Sequence, residues 1–175
     1  MATNNRSPHI VNLEDLEWQH SEHESRFESY RKSPGADTGA RQIGCSLYRV
    51  PPGKCAFPLH AHATNEEAIY ILRGSGTLRL GSENTVQEHQ IREGDYITLP
   101  ADLKMAHQIV NTGTAQIEYL CFSTLILPEV LSYPDSEKVG MMVAEESAPS
   151  GWPVFRERGF KLLKDADSLG YFDDE

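Results

Sequence analysis

Residues 58–74 read PLHAHATNEEAIYILRG, and the reading of this stretch decides the fold. His60 and His62 stand one residue apart, the spacing that puts two side chains on one face of a strand. Two imidazoles projecting side by side can share one ion. Imidazole suits Zn, Fe, Ni and Cu, and an added carboxylate widens the choice toward Mn. Two glutamates follow, and strand phase separates them. Glu67 opens the run EAIYILRG and shares a face with Ile69 and Ile71, a face that can line a barrel. Glu66 falls on the opposite phase, beside the turn. Phase therefore favours Glu67 as a ligand, although a loop residue need not obey it. Alone, an HxH pair in a chain with seven histidines reads equally well as a polar loop before a strand.

Outward from this stretch, the chain from Ile43 onward is a series of short segments with period-2 alternation and turn residues between them. The predicted strands are IGCSLYRV (43–50), AFPLHAH (56–62), EAIYILRG (67–74), SGTLRLG (75–81), VQEHQI (86–91), DYITLP (95–100), HQIVN (107–111) and QIEYLCFSTLI (116–126). About eight strands at roughly ten-residue spacing, with no convincing amphipathic helix between them, predict an antiparallel sandwich or barrel. Residues 1–42 are polar and patternless and read as an N-terminal arm packed against the core, with LEDLEW (13–18) as a short helical turn or edge strand. Residues 128–175 read as a C-terminal extension packed on the barrel. Within it, YPDSEK is a turn, VGMMVAE (139–145) one more strand, and the acidic LLKDADSLGYFDDE a surface tail.

A chain of 175 residues is most simply one domain with appendages. Its 16 basic against 26 acidic residues give a net charge of −10, which argues against nucleic acid and against an anionic membrane surface. The same balance leaves room for a small anionic ligand, because a few local cations or a metal can reverse the sign inside a pocket. The N-terminus lacks the basic start and apolar run of a signal peptide, and no apolar stretch approaches the ~20 residues of a membrane span. Cys45, Cys55 and Cys121 are odd in number and widely spaced, as expected of free thiols in a reducing compartment. The expected location is the cytoplasm.

Two longer patterns now resemble the cupin family. The first cupin motif is a glycine, a short run, HxH, three or four residues, Glu, six residues and glycine. Here it runs from Gly53 through His60, His62 and Glu67 to Gly74. The spacing to Gly74 selects Glu67 over Glu66 independently of phase. The second motif begins at Gly94 and Pro100 and ends at His107 and Asn111. Its middle departs from the pattern, with Asp102 where glycine is usual and two extra residues before the histidine. HATNEEAIYILRG, LPADLKMAHQIVNTG and YPDSEKVG resemble small single-barrel cupins that carry no assigned activity.

The resemblance implies a double-stranded β-helix, a jelly-roll-like barrel over residues 43–127. It also implies one divalent ion (Fe, Mn, Zn or Ni) held by His60, His62, Glu67 and His107. Four ligands on an octahedral ion leave two positions for water or substrate. The function implied is that of a metal-dependent enzyme on a small oxygen-rich molecule, such as a sugar, hydroxy acid or keto acid, of isomerase, lyase or dioxygenase type. The alternatives are a non-catalytic binding or sensing module, and a barrel whose metal only stabilises the fold. A homodimer is expected by analogy, since barrel edges need cover.

Accessory groups are less determined. Tyr70 and Tyr119, with Tyr96, lie in predicted strands, where a tyrosine can serve as general acid or base or simply pack. Arg49, Arg73 and Arg79 can meet an anion or face solvent. Cys55 and Cys121 read as buried inert thiols, His89 as a surface residue, and His20 with His23 as part of the arm.

Overall fold

The computed structural model describes residues 6–82, 84–143 and 160–164. Its strands are β1 (Gln19–His23), β2 (Phe27–Lys32), β3 (Ile43–Val50), β4 (Ala61–His62), β5 (Glu67–Arg73), β6 (Ser75–Gly81) and β7 (Gln87–Arg92). They continue as β8 (Tyr96–Leu99), β9 (Ala106–Val110), β10 (Ile117–Thr124), β11 (Glu129–Tyr133), β12 (Lys138–Met142) and β13 (Phe160–Lys164). Helix among the described residues is confined to Pro34–Asp37 and two 3-10 turns at Leu13–Asp15 and Pro134–Ser136. The fold is all-β. No helix of the described residues is long and apolar enough to cross a membrane.

Two walls enclose the core. The first is a six-stranded sheet in the order β1-β2-β3-β10-β5-β8. The second joins β7-β6-β9 to β13-β12-β11-β4 through an isolated bridge between His60 and His107. Alternation along the strands does the sorting, because residues two apart share a face. On β5, Ile69 and Ile71 are buried while Tyr70 is exposed. Tyr48 and Val50 of β3, with Ile117 and Tyr119 of β10, meet Leu78, Ile91 and Ile109 of the other wall in one cluster. At ~25 cal/mol per Å², each such side chain contributes about 1.5–3 kcal/mol, most of it offset by chain entropy. Gly74 closes the tight β5–β6 connection at φ +86°, a backbone region that a Cβ disfavours.

Several expectations change. The arm is not patternless packing: residues 19–32 form a hairpin that widens the first wall, β2 pairing with β3. β1 is exposed along its whole length, so with water on both sides it carries no apolar alternation to reveal it. The arm also covers the outer face of β3. Arg49 stacks on Trp18 at 4.2 Å, and the buried Lys32 donates to the Leu13 carbonyl at 2.6 Å. LEDLEW begins as a 3-10 turn capped by Asn12, whose side chain accepts from the Glu14 amide.

AFPLHAH is strand only at Ala61–His62; upstream, the chain touches its neighbours at Cys55 and His60 through single bridges. Pro58 lacks an N–H, which disfavours a longer ladder there. The stretch after Pro128 supplies β11, which pairs with β4 and thereby backs the two histidines. Of VGMMVAE, residues 139–142 belong to β12, which begins one residue earlier at Lys138, and residues 144–145 lie outside the described residues. Residues 162–164 of the acidic tail belong to β13, and the rest of the tail lies outside the described residues.

Candidate metal centre

His60 and His107 face each other across the bridge that joins the two parts of the second wall. The His107 amide donates to the His60 carbonyl at 2.8 Å, and the His60 amide returns a bond of 3.2 Å. This pairing sends both rings to one side, with centroids 4.6 Å apart. His62, two residues along, adds a third ring 5.0 Å from His60. Glu67 comes from β5 in the opposite wall. Its Oε2 lies 3.1 Å from His107 Nε2 and 3.8 Å from His62 Nε2. One ligand atom from each of His60, His62, Glu67 and His107 lies within 4.8 Å of all the others. Donors about 2.1 Å from a common ion stand roughly 3 to 4 Å apart, so a small closure completes the set.

The surroundings fit an ion. Both ring nitrogens of His62 are buried and neither is hydrogen-bonded, an arrangement that costs free energy unless another partner is supplied. His60 Nδ1 lies 2.9 Å from the Pro58 carbonyl and His107 Nδ1 3.3 Å from that of Met105, contacts that turn both Nε2 atoms toward the cluster. There, with no ion bound, His107 Nε2 donates to Glu67 Oε2 at 3.1 Å. Burial, with the nearby charges of His107 and His62, brings His60 down to about 3, so it is neutral and ready to ligate at neutral pH. Burial alone would raise Glu67. The hydrogen bond from His107 and the charges of the histidines outweigh it and hold the carboxyl at about 2. A neutral imidazole and an ionised carboxylate are the forms that bind metal.

Glu129 of β11 was not singled out in the sequence, and it sits behind the cluster. It is fully buried (0% exposed), with Oε1 3.7 Å from His62 Nδ1. Its carboxylate accepts the amides of Ala63 (2.9 Å), Thr64 (3.3 Å) and Asn65 (2.9 Å), and also the Asn65 side chain. Burial pushes Glu129 upward, but His62 and these amides bring it below its ordinary value. On the other side of the ring, burial opposes a charge on His62. Glu129 and Glu67 together outweigh burial and raise its pKa. No motif marks Glu129; only the return of β11 beside β4 brings it there.

The cluster opens into a cavity of about 700 Å³ between the walls, within the usual range for small-molecule sites. Tyr119 lines it, buried, stacked on Tyr48 at 5.4 Å and raised well above its ordinary pKa by burial. Tyr70 does not reach it: its side chain is 40% exposed on the outer face of β5, because it has the opposite phase to Glu67. Tyr133, unremarked in the sequence beyond a turn, stacks 6.2 Å from His60 and is raised to about 12 by burial. Cys121 donates to Glu67 Oε1 at 3.7 Å, and burial followed by that carboxylate keeps its thiol protonated. Cys55 is buried away from the cavity lining.

The arginines singled out in the sequence are engaged elsewhere or exposed. Arg49 pairs with Glu118 at 2.7 Å and Arg79 with Asp135 at 2.7 Å, while Arg73 points to solvent. The cavity's cation is Arg31, hidden from sequence reading because its strand was not recognised.

A family model for the Cupin domain matches residues 46–123. The barrel has the cupin fold. Across 93% of its length, this chain superposes on a candidate sugar phosphate isomerase from Acidithiobacillus ferrooxidans (TM-score 0.74, 26% identity, 96% of that chain). A sugar phosphate isomerase of the cupin superfamily from Silicibacter pomeroyi matches 94% of this chain and 98% of its own at TM-score 0.73 and 22% identity. The polyketide cyclase RemF from Streptomyces resistomycificus aligns over 69% of this chain and 82% of its own, with TM-score 0.57 and 20% identity. The last two likenesses speak to fold alone. An uncharacterized protein of Methanocaldococcus jannaschii is 38% identical over 74 residues, covering 42% of this chain and 54% of that one. The chain thus spans about half the length of that curated relative.

Proposed function

We propose that this cupin is a metal-dependent enzyme acting on a small oxygen-rich molecule, with sugar-type isomerisation as the favoured chemistry. The observation that carries the reading is the His60–His62–Glu67–His107 cluster at the wall of a cavity of about 700 Å³. A divalent ion bound there supplies Lewis acidity toward a substrate carbonyl or hydroxyl. The likeness to the A. ferrooxidans protein, which bears the sugar phosphate isomerase name, supports the choice of chemistry.

The chain's own groups divide the remaining work. His60, His62, His107 and Glu67 hold the ion. Glu129 stands 3.7 Å behind His62 Nδ1, where a small closure orients the ring, and Cys121 donates to the second oxygen of Glu67. Tyr133 and Tyr119, both protonated at neutral pH, offer hydrogen-bond donors along the cavity wall. Tyr48, Ile69 and Leu131 line the same space and exclude water from the reacting end. A homodimer is part of the proposal. The exposed Tyr70 and Tyr96 lie side by side on β5 and β8 and offer an apolar contact; light scattering that shows a monomer at high concentration removes it.

The test is metal analysis of protein purified without chelator, followed by a turnover screen on phosphorylated and free aldoses and ketoses. Turnover should vanish with chelation, return with one divalent ion, and be lost in His107→Ala. Protein that retains no metal, or that shows no metal-dependent turnover of any sugar, refutes the proposal.

A further inference from the structure

We infer that the cavity contains a second recognition element, an oxyanion subsite built on Arg31, and that the substrate is therefore a small anion. Its phosphate-ester or carboxylate group meets Arg31 while its oxygenated end faces the histidine cluster. The second half of that statement rests on the metal-dependent reading above; the subsite itself does not.

Arg31 is the one Lys or Arg among the residues lining the cavity. Four other arginines have carboxylate partners within 4.0 Å: Arg6 with Asp15, Arg26 and Arg79 with Asp135, and Arg49 with Glu118. Among the described residues, Arg31 has none. It is half-buried, and a guanidinium drawn partly out of water beside apolar walls calls for an anion.

Arg31 Nε and Nη2 both donate to Ser46 Oγ, at 3.1 and 3.0 Å, and the guanidinium carbon lies 5.7 Å from the centre of the Tyr48 ring. One edge of the fork is anchored and its plane is steadied by the aromatic. Nη1 makes no hydrogen bond among the described residues, so the far edge stays available. A planar fork with a free edge matches two oxygens of a phosphate or carboxylate. Ser33, just past the end of β2, and Gln19, opposite Arg31 in the β1–β2 register, line the same space and add polar partners.

The distance to the cluster suits a small molecule. Glu67 pairs with Ser123, Ser123 with Gly44, and β3 with β2. Three strand spacings of ~4.8 Å put β5 and β2 about 14 Å apart. Arg31, opposite Tyr48, stands four residues or roughly 13 Å along β3 from Gly44. The two backbones are thus about 19 Å apart, and the guanidinium reaches back toward Ser46. The side chains of Glu67 and Arg31 both lean into the cavity and shorten that gap. Cys121 and Tyr48 lie between them, so the middle of the ligand rests on a mostly apolar floor.

The test uses isothermal titration of the metal-loaded protein with inorganic phosphate and, separately, with acetate. Wild type should bind at least one of the two, and the one bound identifies the group as phosphoryl or carboxylate. Arg31→Ala should weaken that binding roughly tenfold to a hundredfold, the scale of a lost charge-assisted pair, with metal content per chain unchanged. Arg31→Lys keeps the charge without the fork and should fall between them. It also covers the case in which Arg31→Ala does not fold. Metal-free protein should show the same dependence on Arg31. Neither anion binding at millimolar concentration, or folded Arg31 variants binding like wild type, overturns the inference. Binding through Arg31 in a chain that never retains metal would refute the proposed function and leave the subsite standing.

Discussion

Replacing Glu129 with alanine removes a fully buried carboxylate whose partners can be counted. The Ala63 amide keeps a second acceptor, the Val130 carbonyl at 2.9 Å, and the Asn65 side chain keeps the Ile126 carbonyl at 3.0 Å. The loss therefore falls on two donors. The Asn65 amide is buried, and a charge-assisted bond there is worth about 2 kcal/mol; the partly exposed Thr64 amide can turn to water and costs about 1. The sum is about 3 kcal/mol, or a melting temperature lower by roughly 6–12 °C for a chain of this size. His62 loses its only facing carboxylate on the Nδ1 side, and metal affinity should drop about 10- to 100-fold. Thermal melts of chelated protein read the first effect, and competition against a colorimetric zinc chelator reads the second. Glu129→Gln retains one acceptor oxygen and should cost about half as much. A Glu129→Ala protein that melts within about 2 °C of wild type, or binds zinc equally well, refutes the clamp.

Other substitutions test separate links. His60→Ala and Glu67→Ala should lose the metal while Glu66→Ala keeps it; metal content per chain decides, and loss only in Glu66→Ala would overturn the register of β5. Gly74 and Gly94 both have positive φ, +86° and +89°, but a Cβ on Gly74 would sit 2.8 Å from the Gln116 carbonyl oxygen while that on Gly94 meets open space. Gly94→Ala should cost about 1 kcal/mol and Gly74→Ala at least twice that by urea unfolding, and equal costs contradict this packing. Asp135 is held below its ordinary pKa by the hydrogen bonds of Arg79, against an opposing contribution from burial. A carboxyl depressed on folding stabilises above its unfolded pKa and loses that contribution as pH falls through the folded value. The melting-temperature gap between wild type and Asp135→Asn should thus be full near pH 6 and close below about pH 4; a gap that widens in acid reverses the sign and refutes it.

Legibility in the sequence followed apolar alternation. From Glu67 to Arg73, and likewise at β3, β6 and β10, the predicted strands match the observed ones to within a residue or two, because one face of each meets the core and the other does not. Where that asymmetry fails, so does the reading. QHSEH in β1 is wet on both faces, and its hairpin with β2 is set by backbone pairing that leaves no mark on side-chain order. Arg31 went unnoticed with it. The longer turn before His107 was read as a departure from the motif. In the structure it closes through a 2.9 Å bond from the Met105 amide to the Asp102 carbonyl, and the Asp102 side chain accepts the Lys104 amide. The histidine remains in line because the turn absorbs the extra residues.

The sequence by itself determined the barrel and the four residues that face one another inside it. Period-2 phase is local, and the two motifs fix which residues of each strand point inward. It could not determine what surrounds them. Glu129 reaches His62 across 67 residues of chain, and Arg31 reaches the cavity from a strand that only pairing with β3 defines. Contacts between walls depend on which strands become neighbours, and that is decided by closure of the whole barrel. Only the tertiary structure turned PLHAHATNEEAIYILRG from a ligand pattern into one end of a cavity whose other end carries a guanidinium with no carboxylate partner among the described residues.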